Sequence, residues 1–112
     1  MRCRAIYYTD RRGEAPARSF INALPKKHRA KIKRWIGELQ ELGPDLPRPY
    51  ADTLAGKIRE LRVDFGGYRY RILYFFDGKD IVLAHAFLKK TGPVPKGEIE
   101  RAQRRMADWC VK

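Results

Sequence analysis

Acid is what this chain is short of. Thirteen Asp and Glu stand against 25 Lys and Arg, for a net charge of +12 and a pI near 10.1. An imbalance of that size argues against a basic partner and implies an anionic one: nucleic acid, a membrane surface or an acidic protein. Long apolar runs are also missing. None approaches the ~20 residues needed to cross a bilayer, so no spanning segment and no membrane partner are expected. The amino-terminal stretch MRCRAIYYTD lacks the apolar core and small-residue cleavage site of a secretory signal. Cysteine is confined to Cys3 and Cys110, without metal-ligand spacing. That argues against a disulfide framework and for a reducing, cytoplasmic location. With only two distant histidines as further ligands, no metal site and no cofactor are expected. Hydrophobic residues are not scarce: at 44%, with 12% aromatic, they exclude a disordered basic tail. The length suits one core, so residues 1–112 are read as a single domain, without internal repeats.

The pattern along the chain predicts α+β. Arg4 to Tyr8 reads as a strand, and Asp10 to Gly13 as a turn. Glu14 to Leu24 reads as a helix, with Pro16 in its first turn where a missing N–H costs little. Pro25 opens a second helix reaching about Leu42, because Ile32, Trp35, Ile36, Leu39 and Leu42 recur at helical spacing. Gly43-Pro44 ends it. Residues 43–57, with three prolines and two glycines, read as a long loop. Strands follow over 58–64, 68–76 and 80–88, joined at Phe65-Gly66-Gly67 and at Asp77-Gly78. The last of them, nearly all apolar, is expected at the sheet centre with both faces covered. Lys96 to Val111 closes the chain as a helix. The expected order is β-α-α-β-β-β-α: a small, mostly antiparallel sheet with a helical hairpin on one face. Alternation puts Glu60, Arg62, Arg69 and Arg71 on the other face, its arginines as cations held in a row.

Such a row suits RNA. To cut RNA without a metal, a 2′-hydroxyl must lose a proton, the 5′-oxygen must gain one, and phosphorane charge must be stabilised. Planar guanidinium groups do the last task well. Arg71 and Arg69 are candidate clamps, Lys89 and Lys90 sit at a strand end, Glu60 or His85 could serve as base, and Tyr68 or Tyr74 as donor. Each has a plainer reading. Arg62 and Arg69 could as readily solubilise the sheet. Glu60 fits a cross-strand ion pair better than a base. His85, in an apolar run, fits a hydrogen-bonded interior histidine. Tyr70 and Tyr74 share the parity of Ile72 and suit the core. Lys89-Lys90 could be an ordinary strand-end pair. For Arg71, mid-strand between Tyr70 and Ile72, the functional reading is the stronger. The run Lys26, Lys27, Arg29, Lys31, Lys33, Arg34 contains no acid and extends the basic surface.

Four motifs in order resemble one family. They are Glu60-Leu61-Arg62, the strand Tyr70 to Tyr74, the strand end Ala86 to Thr91, and the terminal Glu98 to Met106. Together they resemble the RelE/ParE toxin superfamily, in particular its HigB-like, phage-derived branch. The resemblance spans nearly the whole chain. It implies a type II toxin held by a cognate antitoxin, often a helix-turn-helix protein, and a ribosome-dependent endoribonuclease acting on mRNA. It places Arg71 at the scissile phosphate, Lys89 and Lys90 as the basic pair after the last strand, and Lys57, Arg59 and Arg62 as RNA-contacting cations. No tyrosine follows Tyr74, so the late tyrosine common in RelE-type toxins has no counterpart. ParE-like relatives share the fold but inhibit gyrase, and a non-catalytic phage nucleic-acid-binding protein is a third reading.

Overall fold

Two glycine turns set the sheet. The computed structural model describes residues 2–111. In it Gly66 and Gly67 both take positive φ, 57° and 84°, as a tight primed hairpin turn demands. That turn joins β3 (Ile58–Phe65) to β4 (Tyr68–Asp77), and a Gly78 turn joins β4 to β5 (Asp80–Lys89). Two edge strands complete a five-stranded sheet: β1 (Arg4–Tyr7), parallel to β5, and β2 (Ala51–Ala55), antiparallel to β3. The order is β1-β5-β4-β3-β2. The apolar last strand lies inside the sheet between β1 and β4, and Ile81 to Phe87 are buried throughout.

Between β1 and β2 run α1 (Pro16–Asn22) and α2 (Lys26–Leu42). The first is shorter than expected. Glu14 stays outside it, held with Arg12 by backbone hydrogen bonds to the Asp10 carboxylate, and Pro16 takes the first turn. Gly43 stops α2 at φ 54°, and a Cβ there would come within 3.0 Å of the Cys3 sulfur. Both cysteines are free thiols, Cys3 buried and Cys110 exposed. Ile21, Ile32 and Leu39 pack on Leu61, Ile72, Tyr74 and Leu83, all fully buried or nearly so. Each such aliphatic side chain contributes about 1.5–3 kcal/mol relative to exposure.

Two expectations need correction. Residues 43–57 are not a loop throughout: Gly43–Asp45 form a 3-10 turn, and Ala51–Ala55 pair with β3 as the edge strand β2. Proline density concealed the strand because Pro44, Pro47 and Pro49 all precede it. Nor do the helices keep to one face. The final helix α3 (Lys96–Cys110) packs on the opposite face, over Tyr8, Ile58, Leu73, Phe75 and Val82. It covers only one end of that face and leaves the end bearing Arg62 and Arg71 open. No helix among the described residues is long and apolar enough to cross a membrane.

Polar contacts fix α3. The Tyr8 hydroxyl donates to Asp108 at 2.6 Å, and burial together with that carboxylate pushes the phenol up to about 12. His85 is 7% exposed. Its Nδ1 accepts from Arg105 at 3.1 Å, so the ring proton sits on Nε2 and donates to Glu98 at 2.9 Å. Burial holds His85 below its ordinary value, against the pull of Glu98 and with Arg105 and Arg101 reinforcing it. The linkage signs follow. A lowered histidine binds its proton better unfolded, so its stabilisation is complete above about pH 6.5 and fades as pH falls. A raised tyrosine loses its proton more easily unfolded, so its share fades from about pH 10 upward. Urea midpoints between pH 8 and pH 5 should fall for the natural protein and fall less for His85→Gln. Equal acid slopes would remove His85 as the source.

Candidate functional site

The open end of the α3 face holds a cavity of about 610 Å³. Its polar floor comes from the sheet: Glu60, Arg62 and Asp64 of β3, Arg71 of β4 and Lys89 of β5. The two-residue turn fixes this grouping, since it sets Arg62 opposite Arg71 and Asp64 opposite Arg69. Across β4 and β5 an irregularity intervenes. Leu73 pairs with His85 but Tyr74 pairs with Leu83, so Ala84 is an extra residue, a β-bulge. The bulge shifts the register beyond it by one and puts Lys89 opposite Arg69, on the Arg71 side of the sheet.

The expected row of cations is a network of both signs. Arg71 is 7% exposed and Glu60 4%. The Arg71 Nη1 donates to Asp64 at 2.8 Å and to the Tyr70 carbonyl at 2.9 Å. Glu60 Oε1 accepts from Arg62 Nε and Nη2 at 2.9 and 2.8 Å. Its other oxygen, Oε2, faces Arg71 Nε at 3.9 Å, and neither atom has a hydrogen-bond partner. The expectation of a cross-strand pair for Glu60 is met by Arg71 only at that longer distance; the closer partner is Arg62 on the same strand. Arg71, expected on the face away from the helical hairpin, lies buried in the floor there, and its guanidinium is fixed on one side.

Lys89 and Arg69 differ from these. They stand directly opposite one another, and like charges so placed repel. Asp64, opposite Arg69 on β3, gives its carboxylate to Arg71 instead. Among the described residues, Arg69, Lys89 and Lys90 have no ion-pair partner. Arg69 and Lys90 are exposed, and Lys90 lies just past the end of β5, in a smaller hollow with Lys89 and Glu98.

Other candidates lie elsewhere. His85 does not line the cavity; both ring nitrogens are engaged under α3, the arrangement its apolar surroundings favoured. Tyr74 is fully buried on the α1–α2 face, where burial raises its phenol against the pull of Arg59. Tyr68 is exposed but does not line the cavity, and burial raises Tyr70, whose hydroxyl lies 2.7 Å from His28 Nδ1. Lys57 and Arg59 are not brought to Arg71 either. They line a separate hollow of about 280 Å³ with Thr53 and Phe76. There Arg59 donates to Thr53 and Tyr74 hydroxyls at 3.3 and 3.4 Å and lies 5.9 Å over the Phe76 ring. Among the described residues, no group of three His, Cys, Asp or Glu is arranged to hold a metal ion.

Residues outside the sequence-based site complete the cavity. Asp64 anchors Arg71, Lys31 and Trp35 come from α2, and Leu54, Pro93 and Val94 add apolar wall. Asp64 was within reach of sequence reasoning, since it shares the parity of Glu60 and Arg62. No local signal links α2 to this wall.

Arg71 faces Glu60 Oε2 while Arg62 holds Oε1, so removing Arg71 leaves the buried carboxylate compensated on one side only. Arg71→Ala should cost about 3–5 kcal/mol in urea unfolding, and Glu60→Gln in the same chain should recover part of that. A loss below about 1 kcal/mol would mean the pair is screened by water.

No curated protein matches the chain. Residues 19–107 match the family described as Phage derived protein Gp49-like (DUF891), and every residue lining the cavity falls inside that stretch. That family sits within the RelE/ParE-like toxin superfamily. By this match over most of its length, and with the α+β architecture found here, the chain belongs to the Gp49-like phage-derived family.

Proposed function

We propose that residues 1–112 form one toxin domain of a toxin–antitoxin pair, a cytoplasmic endoribonuclease that cuts mRNA on the ribosome, as in the HigB-like branch. The observation that carries this reading is that Lys89, set opposite the exposed Arg69 without an ion-pair partner, lines one cavity with a fixed, buried Arg71. Two cations kept opposite each other cost stability, and a phosphate bridging them would relieve the repulsion.

In this reading the scissile phosphate sits between Arg71, Arg69 and Lys89, with Lys90 at the rim. The 2′-oxygen attacks phosphorus, its proton passes to the Glu60 carboxylate, whose Oε2 lies buried beside Arg71 without a hydrogen-bond partner, and the P–O5′ bond breaks. The departing 5′-oxygen takes a proton from Lys89, leaving a 2′,3′-cyclic phosphate. Arg62 holds the other oxygen of Glu60 and so aims the carboxylate. Arg71, tethered to Asp64, meets the growing charge without reorganising. The route uses side chains alone. No histidine stands at the cavity, so orientation of the mRNA by the ribosome supplies much of the rate. Lys57 and Arg59 stand away from the cut, in a separate hollow. Because it stands under α3, His85 takes no part in this scheme.

Expression without the antitoxin should halt growth and deplete translated mRNA. Lys89→Ala should lower cleavage by about 10²-fold while stability holds or rises, since it relieves the repulsion. Retained cleavage in a folded Lys89→Ala protein would remove that lysine from the site. Efficient cutting of free RNA would contradict ribosome dependence, and gyrase-dependent DNA breaks with intact mRNA would favour the ParE-like reading.

The antitoxin in this reading is acidic where it touches and binds away from the cavity. Lys26, Lys27, Lys33 and Arg34 are exposed along α2, and among the described residues none is ion-paired. Arg29 is committed to the carbonyls of Asn22 and Leu24. Hydrogen exchange on the complex should show protection over 14–42. Protection confined to 58–90 would mean that the antitoxin plugs the cavity directly.

A further inference from the structure

Trp35 belongs to the apolar stripe of α2 by spacing, yet it is only half-buried and lines the cavity opposite the charged floor. Tyr50, 42% exposed, stacks on it with ring centroids 4.7 Å apart and planes 18° from parallel. Lys31, one helical turn before Trp35, lines the same wall, and Arg62 lines the floor. Tyr50 is itself tied to that floor, because its carbonyl accepts the Arg62 backbone N–H at 2.8 Å.

The indole, stacked on Tyr50 and packed against the core cluster, offers a flat ligand the part that lines the cavity. Tyr50 fixes the ring, so little side-chain freedom is lost when a ligand stacks. Cations alone would suit any polyanion. Cations on one wall and a fixed indole on the other suit a phosphate joined to an aromatic ring, which is a nucleotide. We propose that Trp35, braced by Tyr50, is a nucleobase platform that holds one base of the substrate RNA while Lys31 and Arg62 hold the adjoining phosphate. The inference rests on the endoribonuclease reading only for the choice of RNA as ligand. Stacking tolerates every base, so the platform positions the strand more than it reads sequence.

The test uses Trp109→Phe protein, in which Trp35 is the sole fluorophore of its kind. A tetranucleotide with deoxyribose at every position, which cannot be cut through a 2′-hydroxyl, should quench Trp35 saturably. An abasic tetramer with the same number of phosphates should bind about tenfold more weakly and quench little. Tyr50→Ala, an exposed change, should weaken the normal tetramer several-fold without altering circular dichroism. Binding by anisotropy without quenching, or equal binding of the abasic tetramer, would overturn the platform and leave mRNA cleavage standing. Absence of any binding at millimolar concentration would overturn it too, with mRNA loss in cells judging the cleavage reading separately. Quenching by a protein that neither stops growth nor cuts mRNA would keep the platform and sink the endoribonuclease.

Discussion

Ala84, the residue by which β5 outruns β4 between Leu73 and Tyr74, decides which side of the sheet the last lysines occupy. Counting back from the Asp77–Asp80 turn with strict pairing, Leu88 would stand opposite Arg69 and Lys89 would point toward α1 and α2. The bulge reverses this. It places Lys89 with Arg69 and Arg71, and turns Leu88 to the other face, where it is exposed. It also puts Ala84 and His85 successively toward α3, so the same irregularity seats that helix on the sheet. A charged site and its neighbouring core thus share one backbone device.

The Glu60–Arg71–Asp64 arrangement follows from that geometry. A buried ion pair is a weak source of net stability, because desolvation cancels most of the attraction. What it supplies is position. Arg71 cannot leave the floor without exposing Glu60, and Glu60 cannot turn without losing Arg62. The carboxylates beside the guanidinium groups, Glu60 buried and Asp64 exposed, orient them at the cost of some positive charge. Exposed arginines would have given a stronger field and a looser site.

Much of this was legible in residue order. Glycine turns marked the hairpins, helical spacing marked α2 and α3, and parity put Glu60, Arg62, Arg69 and Arg71 on one face. The Gly66-Gly67 turn even dictates that Arg62 meets Arg71, from which a mixed network could have been read. What stayed hidden depended on long-range packing. The bulge leaves no local mark, because Leu-Ala-His-Ala reads as continuous strand. The strand β2 hides behind prolines that only precede it. The side of the sheet chosen by α3, and the approach of Trp35 to a wall built from β3, emerge only when all layers meet. Arg59 misled for a simpler reason: it alternates with Glu60 and therefore points the other way.

The pairing of β1 with β5 has a consequence for synthesis. The first strand made joins one of the last, Arg4 opposite Asp80 and Tyr7 opposite Leu83, and Tyr8 waits for Asp108 near the chain end. No nascent chain lacking β5 can close this sheet, because its interior strand is still missing. Folding must wait until nearly the whole chain has left the ribosome, and contacts so distant in sequence make it slow. The cavity floor, which takes Lys89 from β5, is therefore unformed while the chain is being translated.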